Sequence, residues 1–358
     1  SLHDALPIST PNAQLCPQVT VIILTYNASW ERVRATLSSV ILQKDINFDL
    51  IISDDCSEDN HFEAIEKFLL RNSFTNYKII SHEKNVGTVL NILEAAQKSS
   101  GAYIRAIGNG DMLFDEYTLR DAYNYMNENK AELIASKAVF FRALSYPVEV
   151  IAHHRYPQNI DVYGDPDKLR ESYLILDDRV SGATTMWERN TLIKYMTEAA
   201  HANGEGVKYV EDFMIKCMVF DKCRIFYFNR NTVFYEVGTG LTTSPQDTNI
   251  KNRMDKDGFI VDGLLFTRCI ASSSDEFSKH LYKYLNEKLT YLFPTEKQIK
   301  RAKIKKKLGI FAVPVVFVKR LLFFILSLPH RLTKPAVQEI MTDTNIHTDF
   351  ANLCIKYQ

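Results

Sequence analysis

An alternation of apolar runs with helical patterns begins at Val19, and it constrains the fold of this 358-residue chain more than any other feature. The apolar runs are VTVIILT, FDLIISD, YKIIS and AYIRAIG, and segments such as WERVRATLSSVILQ separate them. Such runs are typical of strands buried on both faces of a sheet, while the intervening segments carry apolar residues at helical spacing. Three successive β-α units therefore predict an α/β protein with a doubly wound, mostly parallel, Rossmann-like sheet.

Parallel sheets of this type bind ligands at the carboxyl ends of their strands. The first such turn, LTYNASWE, contains no glycine, and the chain has neither a GxGxxG fingerprint nor a Walker phosphate loop. Their absence excludes the nicotinamide and kinase interpretations. What remains is a pocket of polar side chains: Thr25, Tyr26 and Asn27 after the first strand, and Asp54 and Asp55 after the second. A tyrosine face and a carboxylate suit a flat ring such as uracil.

The acids after the second strand have an alternative explanation. Paired acids at this position often cap the next helix, and DDCSED is a suitable cap sequence. For Asp55 the cap and ligand interpretations are both open, whereas for Asp54 we favour the ligand interpretation.

The fourth strand ends at Gly108-Asn109-Gly110-Asp111, so Asp111 is expected at the same edge of the sheet. One or two carboxylates hold a hard divalent cation when a diphosphate supplies the other oxygen ligands. Glycines beside the acid let the backbone approach the phosphates closely. An ordinary turn with two glycines and an aspartate is the alternative.

Four blocks in sequence order, VTVIILTYN, DLIISDDCSEDN, NVGTVLNILEAAQKSSGAYIRAIGNGD and VEDFMIKCMVF, resemble the family 2 glycosyltransferases, in particular those of bacterial capsule and O-antigen synthesis. The resemblance extends from Val19 to Pro245 and implies the GT-A fold for residues 18–245. It also implies inverting transfer of a sugar from a nucleotide diphosphate sugar, with a UDP-sugar expected. The implied acceptor is a saccharide or a polyprenyl-diphosphate-linked saccharide, and the implied cofactor is Mn²⁺ or Mg²⁺.

The resemblance also implies roles for individual residues. In the family the fourth strand ends in Asp-x-Asp-Asp, whose last acid ligates the metal, and Asp111 aligns with that acid. Gly108, Asn109 and Gly110 stand at the preceding positions, so the acids that contact the donor ribose in the family are missing here. The residues implied to bind the nucleotide are Thr25, Tyr26, Asn27, Asp54, Asp55, Asn85, Gly87, Asn91 and Gly110.

Glu211 and Asp212 match the Glu-Asp pair of the family, and the resemblance makes one of them the catalytic base. Inverting transfer needs one carboxylate to take the proton of the acceptor hydroxyl, and we favour Asp212. Acids in the first turn of a helix also suit the helix dipole, and both explanations can hold together. Trp187 and Glu188 lie in a segment that resembles an acceptor-binding segment, where they would stack on a sugar and bond its hydroxyls. Burial in the core is the more common use of a tryptophan.

Composition bears on the partners and on the location. Lys plus Arg balance Asp plus Glu at 43 each, so no global field attracts nucleic acid, and no nucleic-acid partner is expected. The 6 cysteines form no CxxC pair, which is typical of reduced thiols in a cytoplasmic protein. Residues 1–17 lack the pattern of a signal peptide and are expected to be a disordered lead-in.

Residues 246–358 are expected to form a C-terminal helical region. Seven basic residues lie within 297–307 and run into an apolar stretch, which together make a basic and then apolar segment at 297–332. Pro314, Lys319 and Arg320 interrupt that stretch, so neither half reaches the ~20 apolar residues of a spanning helix. We expect an interfacial helix and a peripheral location on the inner face of the plasma membrane. A solvated basic helix followed by a core helix is one alternative, and a re-entrant or short spanning segment is another.

The missing acids at 108–110 also support a function from another class. The chain would then be a sugar-nucleotide-binding or scaffold protein of the same fold that has lost catalysis. Release of a nucleotide diphosphate from a sugar donor separates this alternative from the enzyme.

Overall fold

A computed structural model of the protein describes residues 17–142, 146–153, 157–238, 248–292 and 348–357. Strands and helices alternate through the first half of the chain, as the sequence predicts. The strands are β1 (Val19–Thr25), β2 (Phe48–Asp54), β3 (Tyr77–Ser81), β4 (Tyr103–Gly108), β5 (Met112–Leu113), β6 (Leu133–Arg142), β7 (Val150–His153), β8 (Thr185–Glu188) and β9 (Ile225–Val237).

The helices connect these strands and continue beyond the last of them. They are α1 (Trp30–Ile41), α2 (Phe62–Arg71), α3 (Thr88–Gln97), α4 (Thr118–Asn129), α5 (Pro166–Arg170), α6 (Arg189–His201), α7 (Ile215–Phe220), α8 (Thr248–Ala271), α9 (Glu276–Leu292) and α10 (348–356). Short 3₁₀ turns lie at Ile160–Val162, Gly182–Thr184, Ala202–Gly204 and Glu211–Met214, and a π-helical turn lies at Glu171–Ile175.

The strands in the described part of the chain form one sheet of 9 strands. Its order is β3-β2-β1-β4-β8-β6-β9-β5, with β7 paired to β6. The half from β3 to β4 is parallel, and the other half mixes antiparallel pairs with the parallel pair of β6 and β9. The predicted α/β fold with a mostly parallel sheet is confirmed, and it brings the ends of β1, β2 and β4 to one edge.

The sheet is covered on both faces because successive strand residues point to opposite sides. Val21 and Ile23 pack in one apolar cluster with Leu37 of α1, while Ile22 packs in another with Ile92 of α3. All five of these side chains are buried. This two-sided burial explains why β1 reads as a continuous apolar run rather than an alternating one.

The helices after β9 share the core of the sheet domain. Val261 and Leu265 of α8 and Leu281 and Leu285 of α9 belong to the same buried cluster as Ile22. The predicted boundary at 245 lies outside the described residues, but α8 contacts α7 and the 3₁₀ turns at Ala202–Gly204 and Glu211–Met214, and α9 contacts the π-helical turn.

The last helix, α10, packs on a different part of the sheet. Ala351 and Cys354 are fully buried in a cluster that includes Phe114 and Phe234. Arg34 of α1 donates a hydrogen bond to the backbone carbonyl of Ile355 at 2.9 Å.

Two predicted segments fall outside the described residues: almost all of the lead-in at 1–17 and the whole of the basic and apolar segment at 297–332. Among the helices that the structure describes, none is both long enough and apolar enough to cross a membrane.

Candidate active site

A cavity of about 920 Å³ opens where β1 and β4 end, at the edge where a parallel sheet binds its ligands. The loop after β3, the segments at 181–187 and 208–213, the end of β9 and the first turns of α8 complete its walls. The predicted site residues that line it are Thr25, Tyr26, Asn27, Asp55, Asn85, Asn91, Asp111, Trp187, Glu211 and Asp212. Asp54, Gly87, Gly110 and Glu188 do not line it.

The two acids after β2 hold the surrounding backbone. Asp54 is 1% exposed, and its carboxylate accepts hydrogen bonds from the Thr25 hydroxyl at 2.8 Å and from the backbone N–H and hydroxyl of Ser57 at 2.8 and 2.6 Å. The expected contact of Asp54 with a base does not fit this position, because its oxygens already tie β1 to the turn after β2. Helix α2 begins at Phe62, so neither acid is its N-cap.

Asp55 lines the cavity and also fixes the loop that follows β3. Its two carboxylate oxygens accept hydrogen bonds from the backbone N–H groups of Val86 at 2.6 Å and Gly87 at 2.9 Å. Gly87 itself has φ +86°, in the region that favours glycine. Asp55 therefore couples the turn after β2 to this loop, and it shares the cavity wall with Asn85.

The two asparagines of this region differ in their partners. Asn91 is buried and exchanges hydrogen bonds with Ser53 of β2 through both ends of its amide, at 2.5 and 3.2 Å. The side-chain oxygen of Asn85 is also buried, but it has no hydrogen-bond partner in the described part of the chain. Asn91 therefore supports the fold of the site, whereas Asn85 offers an unused acceptor to the cavity.

The Gly-Asn-Gly-Asp turn after β4 is held by α1 and by the end of β9. The Thr36 hydroxyl accepts from the N–H of Gly110 at 2.9 Å and donates to the carbonyl of Asp111 at 2.7 Å. The Asp111 carboxylate accepts from the N–H of Glu236 at 2.8 Å through Oδ1. Within the described residues Oδ2 has no hydrogen-bond partner, so one oxygen of this acid remains available.

Asp111 lies in a surrounding that opposes its negative charge. It is 8% exposed, and burial raises its pKa to about 7, with the Glu236 carboxylate adding to the rise. The N–H of Glu236 and the guanidinium groups of Arg105 and Arg32 act in the opposite direction. The acid therefore changes its charge near neutral pH.

Arg32 and Glu236 form an ion pair beside this turn that the sequence analysis missed. The Glu236 carboxylate lies 2.6 Å from Nε of Arg32 and 2.5 Å from its Nη2, and Nη2 also donates to the carbonyl of Asn109 at 3.1 Å. A Cβ on Gly110, which has φ +95°, would lie closer than 3.0 Å to both members of the pair. Glycine fits here because the ion pair occupies the space that a side chain would need, and the approach of the backbone to phosphates stays a prediction. A single acid in the apolar run TVFYEVG is the sequence feature that points to Glu236.

Glu211 and Asp212 lie together in the cavity wall, on the 3₁₀ turn that leads into α7. Burial raises the pKa of both acids, and the charge of Asp212 raises that of Glu211 further. Arg179, Lys216 and the backbone N–H of Gly182 favour the charged form of Asp212. These neighbours thus favour the charged form at Asp212, and a charged carboxylate is what a general base needs.

Gly182 packs directly against the acid pair. A Cβ at this position would lie 2.6 Å from Oε1 of Glu211 and 3.2 Å from the Cβ of Asp212. Phe213, the next residue of the turn, has Arg179 at 4.7 Å and Lys216 at 5.2 Å from its ring centroid. The backbone of Gly182 therefore covers one side of the acid pair, and the cations Arg179 and Lys216 lie nearby.

The two predicted acceptor residues have structural partners. Trp187 borders the cavity but is 4% exposed, and its indole N–H donates to the Thr185 hydroxyl at 3.0 Å. Glu188 caps α6 by accepting from the N–H groups of Asn190 at 3.0 Å and Thr191 at 2.7 Å. Stacking of a sugar on Trp187 and hydrogen bonds from Glu188 to its hydroxyls do not fit these positions.

Within the described residues, no three or more His, Cys, Asp or Glu side chains lie together in a group that could hold a metal ion. At the turn after β4, Asp111 offers one carboxylate oxygen that has no hydrogen-bond partner among the described residues. This donor set fits a hard divalent cation only if a bound diphosphate supplies most of the oxygen ligands.

Comparison with known proteins relates one part of the chain to a family. Residues 20–159 match the family model described as glycosyl transferase family 2. This part of the chain is similar to glycosyl transferase family 2. The resemblance read from the sequence blocks is therefore confirmed, and the family 2 region includes the Asp111 turn but ends before Glu211 and Asp212. No curated protein sequence matches the chain significantly.

Solved structures share the fold of this protein at low sequence identity. S. aureus TarS 1-349 in complex with UDP has a TM-score of 0.52 at 18% identity, covering 77% of this chain and 72% of that one. The same protein in complex with UDP-GlcNAc has a TM-score of 0.53 at 16% identity, covering 78% and 74%. The mannosyltransferase PcManGT from Pyrobaculum calidifontis, in complex with GDP-Man and Mn²⁺, has a TM-score of only 0.48 at 13% identity. The match covers 98% of this chain and 91% of that one.

Proposed function

We propose that this protein is an inverting glycosyltransferase that moves a sugar from a nucleotide diphosphate sugar to a saccharide acceptor. The observation that carries the proposal is the single cavity that contains both Asp111 and the acid pair Glu211-Asp212, at the strand ends of a family 2 fold. One acid is suited to the metal and diphosphate of a donor, and the other is suited to the acceptor hydroxyl.

Asp212 is the general base of the proposed reaction. It takes the proton from the acceptor hydroxyl as that oxygen attacks the anomeric carbon on the face opposite the leaving diphosphate. Arg179 and Lys216 keep Asp212 charged relative to its neighbour, and Glu211 retains its proton because burial and the charge of Asp212 both oppose its ionisation. A single displacement requires only one carboxylate, because only one proton is removed from the acceptor hydroxyl.

Asp111 would hold Mn²⁺ or Mg²⁺ through Oδ2, its oxygen without a partner in the described residues. A divalent cation supplies stabilisation of the charge that develops on the leaving diphosphate. The N–H of Glu236 orients the carboxylate, and Thr36 fixes the backbone on both sides of the turn.

The nucleotide is proposed to lie against the loops after β1, β2 and β3. Tyr26 is 44% exposed at the cavity and offers a ring face for stacking on a base, with Thr25, Asn27 and Asp55 beside it. The unused acceptor of Asn85 suits a ribose hydroxyl or a base N–H. A UDP-sugar is the proposed donor, in keeping with the UDP and UDP-GlcNAc complexes of TarS.

A transfer assay tests the proposal directly. Purified protein is incubated with Mn²⁺, a panel of UDP- and GDP-sugars, and a crude extract of lipid-linked saccharides, and released nucleotide diphosphate is measured. We expect acceptor-dependent release from one donor and a product with the opposite anomeric configuration by NMR. Donor binding without release from any donor would instead support the binding or scaffold protein, and a retained configuration would contradict the inverting mechanism.

The biological setting is proposed to be surface polysaccharide synthesis at the cytoplasmic face of the plasma membrane, with a polyprenyl-diphosphate-linked acceptor. The basic segment at 297–307 supports attraction to anionic lipid, at about 1 kcal/mol per basic side chain near the surface. Deleting the chain from this segment onward is a poor test, because it would also remove α10, whose Ala351 and Cys354 are buried in the core.

Flotation with phosphatidylglycerol-containing vesicles tests this setting in the full chain. Replacing the three lysines at 305–307 by glutamine should lower the floated fraction. The matched control replaces three exposed lysines of the folded domain, Lys67, Lys98 and Lys251, by glutamine. Equal loss in both variants would mean that the segment has no special part in membrane binding.

A further inference from the structure

Lys208 is a cation of the cavity wall that neither the sequence motifs nor the proposed mechanism uses. It is half-buried, and within the described residues no carboxylate lies within 4.0 Å of its ammonium group. The other two cations that line the cavity differ, because Arg32 is paired with Glu236 and Arg253 with Asp257. The Lys208 ammonium group lies 5.1 Å from the ring centroid of Tyr209, and its charge is available to an anion of a ligand.

The backbone of Lys208 is fixed from two directions. Asp257 of α8 is fully buried and accepts from the N–H groups of Lys208 at 3.0 Å and Tyr209 at 2.8 Å. On the other side, the Lys208 carbonyl accepts from the N–H of Val89 at 3.1 Å. The buried carboxylate of Asp257 and the first turn of α3 thus hold the backbone of Lys208 in place. A solvated surface lysine does not require such contacts.

The side chain of Lys208 crosses the loop after β3 at Gly87. A Cβ on Gly87 would lie closer than 3.0 Å to Cγ and Cε of Lys208 and to its carbonyl oxygen. The absence of a side chain at Gly87 therefore makes the path of the lysine possible. Asn85, with its unused oxygen, lies two residues before Gly87 on the same wall.

We propose that Lys208 binds a phosphate group of a ligand in this cavity. The source is the diphosphate of the nucleotide-sugar donor or a phosphate of the acceptor, and this choice of sources rests on the proposed function. An ammonium group forms charge-assisted hydrogen bonds to phosphate oxygens, which are stronger than those between neutral groups. Lys208 thereby supplies positive charge to a cavity in which Asp111, at the turn 108–111, would hold the proposed cation.

Binding measurements on four proteins test the inference: wild type, Lys208→Met, Lys208→Arg and Lys251→Met. Methionine keeps an apolar stem over Gly87, arginine keeps the charge, and Lys251 is an exposed lysine of α8 that does not line the cavity. Titrations with UDP and with uridine are followed by calorimetry, and thermal unfolding verifies the fold. We expect Lys208→Met to weaken UDP binding about tenfold or more while uridine binding is unchanged, with the arginine variant and Lys251→Met close to wild type.

A second titration separates the two sources of phosphate. Inorganic phosphate is titrated into each protein already saturated with UDP. If Lys208→Met binds UDP normally but loses phosphate binding, the lysine serves a phosphate of the acceptor. If both ligands bind Lys208→Met as tightly as wild type, the inference is overturned.

The outcomes also separate this inference from the proposed function. Binding of inorganic pyrophosphate that depends on Lys208, in a protein that binds no nucleotide, would support the phosphate site and contradict the donor assignment. Binding of both UDP and inorganic phosphate that is indifferent to Lys208, together with active transfer, would support the enzyme and overturn the inference. A wild-type protein that binds neither UDP nor phosphate nor pyrophosphate would contradict both.

Discussion

The two carboxylate sites of the cavity are supported in opposite ways. Asp111 is oriented by the backbone N–H of Glu236, a residue that also brings a second negative charge next to it. Asp212 is oriented by the N–H of Gly182 and has Arg179 and Lys216 as its charged neighbours. Burial raises the pKa of both acids. At Asp111 a like charge adds to burial and opposes the effect of Arg105 and Arg32, whereas at Asp212 the nearby cations and the Gly182 N–H act against burial.

This difference suits the two proposed tasks. A general base must be charged before the acceptor arrives, so cations beside Asp212 are useful even without a ligand. A carboxylate that binds a cation can instead rely on that cation to favour its charged form, because a metal displaces the proton on binding. The neighbours of each aspartate thus determine which of the two proposed tasks its carboxylate suits.

Asp212→Asn should have the largest effect, because it removes the proposed proton acceptor and keeps the shape of the side chain. We expect transfer to fall about 10²- to 10⁴-fold, the usual contribution of a general base, while UDP binding stays within twofold of wild type. Initial transfer rates and UDP calorimetry measure the two quantities.

The neighbouring acid provides the control for that experiment. Glu211→Gln removes an acid that is already protonated in the proposed mechanism, so its loss of rate should be much smaller. An equal or larger loss in Glu211→Gln would reverse the assignment of the base, and a loss of UDP binding in Asp212→Asn would move this acid to the donor site.

Asp111→Asn should increase the free energy of unfolding, because it removes a buried carboxylate. The pKa of Asp111 is raised to about 7, so the folded state keeps a proton that the unfolded state loses above its ordinary pKa of 3.8. The free energy of unfolding of the wild type therefore falls as pH rises between these values and levels off above 7. At about 1.4 kcal/mol per pKa unit, the asparagine variant gains up to about 4 kcal/mol over wild type at pH 8.

Urea denaturation with EDTA at pH 5 and pH 8 measures this effect. The stability advantage of Asp111→Asn should be clearly larger at pH 8 than at pH 5. The same variant should lose Mn²⁺ binding in the presence of UDP, followed by electron paramagnetic resonance. A constant advantage at both pH values would mean that Asp111 is not the group that titrates.

Gly110→Ala should destabilise the turn for two separate reasons. Its φ of +95° is unfavourable for alanine, and the new Cβ would overlap the Arg32–Glu236 pair. We expect a loss on the order of 2–3 kcal/mol in the free energy of unfolding, measured by urea denaturation. Gly108→Ala is the matched control, because its Cβ would have only Oδ2 of Asp111 nearby, at 3.6 Å. A change beyond about 0.5 kcal/mol in that control would contradict the assigned geometry.

The order of strands and helices was predictable because period and apolar run length follow directly from burial on both faces of the sheet. Asp111 and Asp212, which a strand end and a sequence block pointed to, both line the cavity. Asp54 and Glu188 do not line it, because an acid next to a strand or helix end satisfies nearby N–H groups as readily as a ligand.

Contacts between distant positions were beyond prediction. Glu236 reaches Asp111 across 125 positions, and Arg32 reaches Glu236 across 204. Helix α8 contributes Arg253 and Met254 to the cavity from beyond the expected domain boundary. No local pattern encodes such contacts, because they depend on how β9 and α8 return to the edge of the sheet.

Glu236→Gln should have the smallest of the predicted effects. It tests how Glu236 supports the turn that carries Asp111. The substitution removes the like charge beside Asp111 and leaves Arg32 with a neutral partner, but it keeps the backbone N–H that orients Asp111. We expect a loss of about 1–2 kcal/mol in the free energy of unfolding at pH 5, because the ion pair is only partly exposed.

The pH dependence of this variant distinguishes an electrostatic role from simple packing. Removing the repulsion from Glu236 lowers the pKa of Asp111, so the fall in stability between pH 5 and pH 8 should become shallower than in wild type. In the Asp111→Asn background the same substitution should leave the difference between the two pH values unchanged. If Glu236→Gln shifted stability equally at both pH values with Asp111 present, Glu236 would support the turn by packing and hydrogen bonds alone.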